Sequence, residues 1–190
     1  PCQGDTDKDG DLMNYSHLEV YLFPYGLMTG LIFDSGGDFE QIIAERFPDN
    51  FNANHYYNEF DKRSNNRGPE PESVIVERIG AKQYAFIGLE RMGGIMIYDV
   101  TNPFDVNFVD YVNNRNFAVE PDEQLSEAGD LGPEGLLFIP NYHTITGDSL
   151  LVVTNEVSGI TTIYKVEEVP EIFDYWAKGN LIKVIGETKQ

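Results

Sequence analysis

Residues 68–100 read GPEPESVIVERIGAKQYAFIGLERMGGIMIYDV, and residues 132–166 read GPEGLLFIPNYHTITGDSLLVVTNEVSGITTIYKV. With Glu90 set on Glu156, Gly93 falls on Gly159, Ile97 on Ile163, Tyr98 on Tyr164 and Val100 on Val166 without a gap. Upstream, Gly68-Pro69-Glu70 falls on Gly132-Pro133-Glu134, at an offset of 64 rather than 66. A period near ~65 residues, built of short antiparallel strands, is the signature of propeller blades somewhat longer than the ~40–50 residues of common types. The clear repeats span about 68–112 and 132–166. The expected fold class is therefore all-β, with β-propeller-type blades. A closed propeller takes ~4–8 blades, and this length holds about three at that period. The chain thus reads as a single domain over 1–190, a partial propeller: either it is a piece of a larger protein, or a second chain or copy completes the ring. A small open sheet or sandwich is the alternative.

Outward from the repeat, alternating apolar residues predict strands at 18–23 and 30–36, joined by a turn near Pro24 and Gly26. The run DFEQIIAERF at 38–47 is the one convincing helix, with Phe39, Ile42, Ile43 and Phe47 on one face and Asp38 with Gln41 as a capping box. Residues 48–71 form a long loop rich in Asn, Asp, Gly and Pro. Its aromatics Phe51, Tyr56, Tyr57 and Phe60 argue against disorder. Strands follow at 73–78, 83–89, 95–100 and 107–112, then a second long loop at 113–134. Strands return at 135–139, 150–154 and 160–166, with a short helix near 171–177 and a strand at 181–185 to end.

Composition bounds the partners. Asp and Glu number 32 against 13 Lys and Arg, a net charge of −19, which repels nucleic acid and anionic membranes and attracts cations. The most apolar stretch, residues 18–33, is broken by Pro24, Gly26 and Gly30, so no membrane span is expected. The opening PCQGDTDKDG has neither a basic n-region nor an apolar h-region, and a start at Pro fits a processed or excised chain. Cys2 is the single cysteine. It excludes an intrachain disulfide and, in a secreted protein, points to an interchain one.

Two carboxylate patterns carry chemistry. In DTDKDGDL, Asp5, Asp7, Asp9 and Asp11 alternate around Gly10, which turns hard oxygen ligands inward as in a Ca²⁺ loop spanning 5–11. The twelfth position counted from Asp5 is Ser16 rather than Glu, so the loop lacks the bidentate ligand of an EF-hand. The second pattern is the repeated pair Glu70 and Glu90, then Glu134 and Glu156. In propellers such strand ends converge on the central channel, where the glutamates would ligate a metal. They fit equally a bracing role, capping turns and pairing with Arg63, Arg91 or Arg115. His17, His55 and His143 lack zinc spacing, and Ser35 lacks a hydrolase elbow. Asn14-Tyr15-Ser16 is a glycosylation sequon.

The blocks DFEQIIAERFPDNFN, DKRSNNRGPEPESV, YAFIGLERMGGIMIYDVTNP, FVDYVNNRNF and GDLGPEGLLFI together resemble the choice-of-anchor I domain, over about residues 5–168. That family is shared by secreted bacterial proteins and mesenchyme-specific cell-surface glycoproteins. The resemblance, to the family's C-terminal part, implies a β-propeller, an extracellular or surface location, and an association with calcium and biomineral. The family's D-x-R-S is matched by Asp61-Lys62-Arg63-Ser64. The first expectation is a non-enzymatic calcium-binding protein of cell surface, matrix or biomineral. The alternatives are a metal-dependent phosphoester hydrolase, since some members carry an alkaline-phosphatase label, and a small-ligand or pigment carrier walled by residues 51–60.

Overall fold

The centre of the molecule follows from the way residues 82–99 spend their apolar side chains on two faces at once. The computed structural model describes residues 18–22, 30–168 and 182–188. Strands β1 (Glu19–Leu22) and β2 (Gly30–Asp34) form an antiparallel pair, followed by helix α1 (Asp38–Arg46). A first sheet is an antiparallel meander of β3 (Pro71–Ile79), β4 (Lys82–Leu89), β5 (Ile95–Asp99) and β6 (Asn107–Val112). A second meander holds β7 (Pro133–Ile139), β8 (Ser149–Asn155), β9 (Ile160–Glu168) and β10 (Ile182–Thr188). The fold is all-β and antiparallel with one α-helix among the described residues, as the apolar patterning predicts. The expected helix near 171–177 lies outside the described residues.

β4 and β5 are the first sheet's inner strands, and successive side chains point to opposite faces. Tyr84, Phe86, Ile95 and Ile97 meet Phe138, Leu151, Val153, Tyr164 and Val166 of the second sheet in one core. Phe86 and Phe138 stack there with centroids 6.1 Å apart. Ala85, Ile87, Leu89, Met96 and Tyr98 face the other way, onto Phe39 and Ile43 of α1 and Phe51 and Ala53 of the following loop. The first sheet is therefore a middle layer between helix-and-loop on one side and sheet on the other.

The helix begins differently from the expected capping box. Gly37 is the N-cap and no side chain caps it. Asp38 is already the first helical residue, where its charge favours the positive helix end. The face is as expected: Phe39 and Ile43 are fully buried, and Ile42 and Phe47 pack against the same core.

The sheets come closest where β7 lies against β3 and β4. Gly88 makes this approach possible, because a Cβ there would stand only 2.9 Å from the Pro133 carbonyl oxygen. The start of β7 is thereby brought beside the end of β4, which is where the acidic residues gather.

The long loop 48–71 is ordered by polar clamps. Arg115, 6% exposed, donates to the carbonyls of Arg91 (3.1 Å), Asn54 (2.6 Å) and Tyr57 (3.4 Å), and to Asn58 Oδ1 (2.9 Å). Its guanidinium also lies 4.6 Å from the Phe117 ring centroid. Asn58 Nδ2 donates to the carbonyls of Phe117 and Val119, tying the two long loops together.

Candidate functional site

Each sheet opens its first strand with an irregular register. In β3 the register slips between Pro71 and Ser73, opposite Leu89 and Gly88, leaving Glu72 as the extra residue. In β7 it slips between Pro133 and Gly135, opposite Asn155 and Thr154, leaving Glu134. These are β-bulges, which re-aim a side chain at a strand end. Glu90 follows β4 directly, and Glu156 follows β8. Each begins a turn closed by a bond to a glycine N–H: Gly93 to the Leu89 carbonyl and Gly159 to the Asn155 carbonyl, both 2.8 Å.

The backbone decides which residues correspond. Glu90 N–H donates to the Glu70 carbonyl (2.8 Å) and Arg91 N–H to that of Pro69 (3.1 Å). In the second sheet Glu156 N–H donates to the Gly132 carbonyl (2.7 Å) and Val157 N–H to that of Leu131 (3.2 Å). The structural partner of Glu134 is therefore Glu72, at an offset of 62, and the partner of Gly132 is Glu70. The matching of the two GPE tripeptides is corrected by two residues. The longer β7–β8 connection, residues 140–148 against residues 80–81, takes up the difference from the offset of 66 at Glu90 and Glu156.

Glu70 stands at φ 56°, the left-handed region that its counterpart Gly132 occupies at 72°. A non-glycine residue there costs roughly 1–2 kcal/mol. Its carboxylate, 6% exposed, receives Arg63 (3.1 Å), Arg67 (3.5 Å) and, most closely, Arg91 Nε. Burial alone would raise its pKa, but Arg91, Arg63 and Arg67 outweigh burial and hold it below the ordinary carboxylate value.

Glu90, 5% exposed, lies at the meeting point of two acid groups. One ligand oxygen from each of Glu70, Glu72 and Glu90 lies within 4.8 Å of the others, and the same holds for Glu90, Glu134 and Glu156. Arg91 Nη1 stands 3.2 Å from Glu90 Oε1, and His55 Nδ1 3.4 Å from the same oxygen. His55, 2% exposed, has its Nε2 2.6 Å from Arg91 Nη1. The same Arg91 Nη1 lies 3.2 Å from His55 Nδ1, so the arginine donor faces both ring nitrogens. Burial, helped by the carboxylates of Glu70, Glu72 and Glu134, raises Glu90 to about 7 against the pull of Arg91. Burial, with Arg91, Arg115 and Arg63, lowers His55 to about 4. Glu134 is exposed; partial desolvation and the Glu156 carboxyl, with which it shares a hydrogen bond, raise its pKa.

These shifts oppose each other in the stability of the fold. Native Glu90 keeps, up to about 7, a proton that the unfolded chain releases near 4.5, so rising pH favours unfolding across that window. Native His55 lacks, down to about 4, a proton that the unfolded chain holds below 6.5, so rising pH favours folding there. Between 4.5 and 6.5 the two slopes cancel. Glu90→Gln removes one slope and exposes the other. Relative to wild type, the variant gains stability from pH 4.5 to 6.5, on the order of 2 kcal/mol for a largely buried group. Urea melts at both pH values read this difference. Parallel pH profiles for variant and wild type would show that the pair does not titrate in this way.

All four repeated glutamates of the sequence reading thus lie at one seam, divided between two groups that share Glu90. Glu72 and His55 complete the seam and escaped the sequence reading, whereas Arg91 pairs with Glu70 and Glu90 as the bracing alternative expects. The signal for Glu72 is present, since GPEPES contains Pro-Glu twice and only the second copy aligns with Pro133-Glu134 in space. Asp5, Asp7, Asp9, Asp11, Asn14 and Cys2 lie outside the described residues.

The two antiparallel meanders thus share an acidic seam at the ends of β4 and β8 and the starts of β3 and β7. Comparison with known proteins finds a match of residues 26–103 to the choice-of-anchor I domain, the family that the sequence blocks resemble. Gigasin-3a of Magallana gigas is 27% identical over 177 residues, covering 85% of this chain and 62% of that protein. The chain thus spans less than two thirds of that curated relative's length. No solved structure matches the chain. No helix among the described residues is long and apolar enough to cross a membrane.

Proposed function

We propose that this chain is part of a secreted, acidic, calcium-binding protein with propeller-type sheets, acting at a cell surface, in extracellular matrix or in biomineral. The observation that carries the reading is the gathering of carboxylates from both sheets around Glu90. The donor set is carboxylate oxygen alone, the chemistry that Ca²⁺ takes in its six to eight ligand positions. Glu72, Glu134 and Glu156 are exposed, so an ion reaches them without opening the fold. The Asp5, Asp7, Asp9 and Asp11 run is a second candidate for the same ion, on its sequence pattern. The family match and the Gigasin-3a relative support the extracellular setting.

The outer face of the second sheet supports completion by a second chain or copy. Leu137 is exposed there, and Leu150, Val152 and Ile163 are only partly buried. These alternate with Phe138, Leu151, Val153 and Tyr164, which fill the inter-sheet core.

Calcium should raise the melting temperature. Binding to the native state alone adds RT ln(1 + [L]/Kd), about 2.7 kcal/mol at a hundred times Kd. Glu134→Gln with Glu156→Gln, and separately Asp7→Asn with Asp9→Asn, each should remove part of the rise. Identical melts in millimolar Ca²⁺ and in chelator would overturn the reading.

A further inference from the structure

Beside the acidic seam lies an open groove of about 510 Å³, lined by Tyr56, Pro121, Asp122, Leu125, Glu156 and Val157. Three segments build it: the loop before β3, the loop before β7, and the turn between β8 and β9. Its walls are held in place from behind. The Tyr56 ring packs edge-on against His55, with centroids 4.1 Å apart, and His55 is held by Arg91. The two loops are joined by Asn58, whose N–H donates to Glu120 Oε2 (3.0 Å), and by the Arg115 clamp. Tyr56 is 50% exposed and Leu125 44%, so the groove presents a preformed apolar wall to solvent.

The charge of the groove is one-sided. Glu156 and Asp122 line it, and Glu134 adjoins Glu156. No Lys or Arg lines it, and neither Glu134 nor Glu156 has a salt bridge among the described residues. The nearest cation to the seam, Arg91, is committed to Glu70 and Glu90. A bare metal ion would have no use for Tyr56, Leu125 and Val157. A long basic side chain uses both halves of the groove, laying its stem on apolar surface while its charged end reaches the carboxylates. An arginine adds stacking on the tyrosine ring.

We propose that this groove docks a lysine- or arginine-bearing segment of a partner polypeptide, with the stem of the basic side chain against Tyr56 and Leu125 and its charge on Glu156 and Asp122. The net charge of −19 steers such a partner to the surface, and the groove supplies the specific seat. The inference does not rest on calcium binding, although both share Glu156.

The test is titration of the protein, in chelator, with a fluorescent Gly-Ser peptide carrying arginines and with the same peptide carrying citrulline instead. Saturable binding of the arginine peptide is expected, weakened about tenfold by Tyr56→Ala and likewise by Glu156→Gln with Asp122→Asn. Asp105→Asn, an exposed acid in the turn between β5 and β6, should change affinity less than twofold. Thermal melts confirm that the variants remain folded. Equal loss from Asp105→Asn and Tyr56→Ala, or none from Tyr56→Ala, would reduce the effect to overall charge and overturn the proposal. Equal affinity for the citrulline peptide would overturn it too. So would binding of a neutral oligosaccharide in the groove with no arginine-peptide binding, which would make the groove a glycan seat. Binding of the arginine peptide with no calcium response would leave the proposal standing and remove the calcium reading.

Discussion

Arg115→Ala is expected to destabilise the protein by about 4 kcal/mol, because one buried guanidinium satisfies three backbone carbonyls from two segments at once. Alanine strips the donor from the carbonyls of Asn54, Tyr57 and Arg91, and removes the cation over Phe117. Each buried acceptor left without a partner costs about 1–3 kcal/mol, reduced where water enters the opened loop. At this chain size the melting temperature should fall by roughly 10 °C. Arg115→Lys should recover less than half, since an ammonium cannot span carbonyls that the planar fork reaches together. The readouts are chemical denaturation and proteolysis of the loop 48–71, which should become an early cleavage site. A loss below about 1 kcal/mol would mean that the loop holds itself without the clamp.

Glu70→Ala is the second large effect, at about 3 kcal/mol. Removing one member of a buried ion-pair network typically costs about 3–5 kcal/mol, and Arg63 and Arg91 here keep some access to water. The diagnostic comparison is Glu70→Gly. Glycine usually destabilises more than alanine, but at φ 56° it removes the strain that alanine retains. The glycine variant should be about 1 kcal/mol more stable than the alanine variant. The depressed Glu70 pKa adds a pH signature. Its stabilisation is present above the ordinary carboxylate value near 4.5 and is lost as pH falls through the lower folded value, so both variants should lose that part of the acid sensitivity. Alanine more stable than glycine would show that the left-handed backbone is not strained.

Much of the architecture was legible because the strands carry it in their own chemistry. Residues such as Phe86, Ile97 and Val153 sit in apolar runs whose length and flanking glycines mark short strands, and each strand of the two sheets occurs near its expected bounds. The helix face was legible for the same reason, through Phe39 and Ile43. Register was less so. A bulge is a backbone event, and nothing in GPEPES states which Pro-Glu supplies the extra residue. Glu70 was therefore singled out for a place that Glu72 occupies. The roles of His55 and Arg115 depend on chain segments far apart in sequence, and a lone histidine in an Asn-rich loop carries no local mark of its burial against Arg91.

The first sheet lends one face to each of the two cores, and this has a consequence for how the molecule comes apart. β4 and β5 cannot leave one core without leaving the other, so no cut through the 71–112 region yields two halves that each keep a dry interior. Loosening of the helix and its loop exposes Leu89 and Met96, while loosening of the second sheet exposes Phe86 and Ile97 on the same two strands. The layers are thereby bound into a single cooperative unit through β4 and β5.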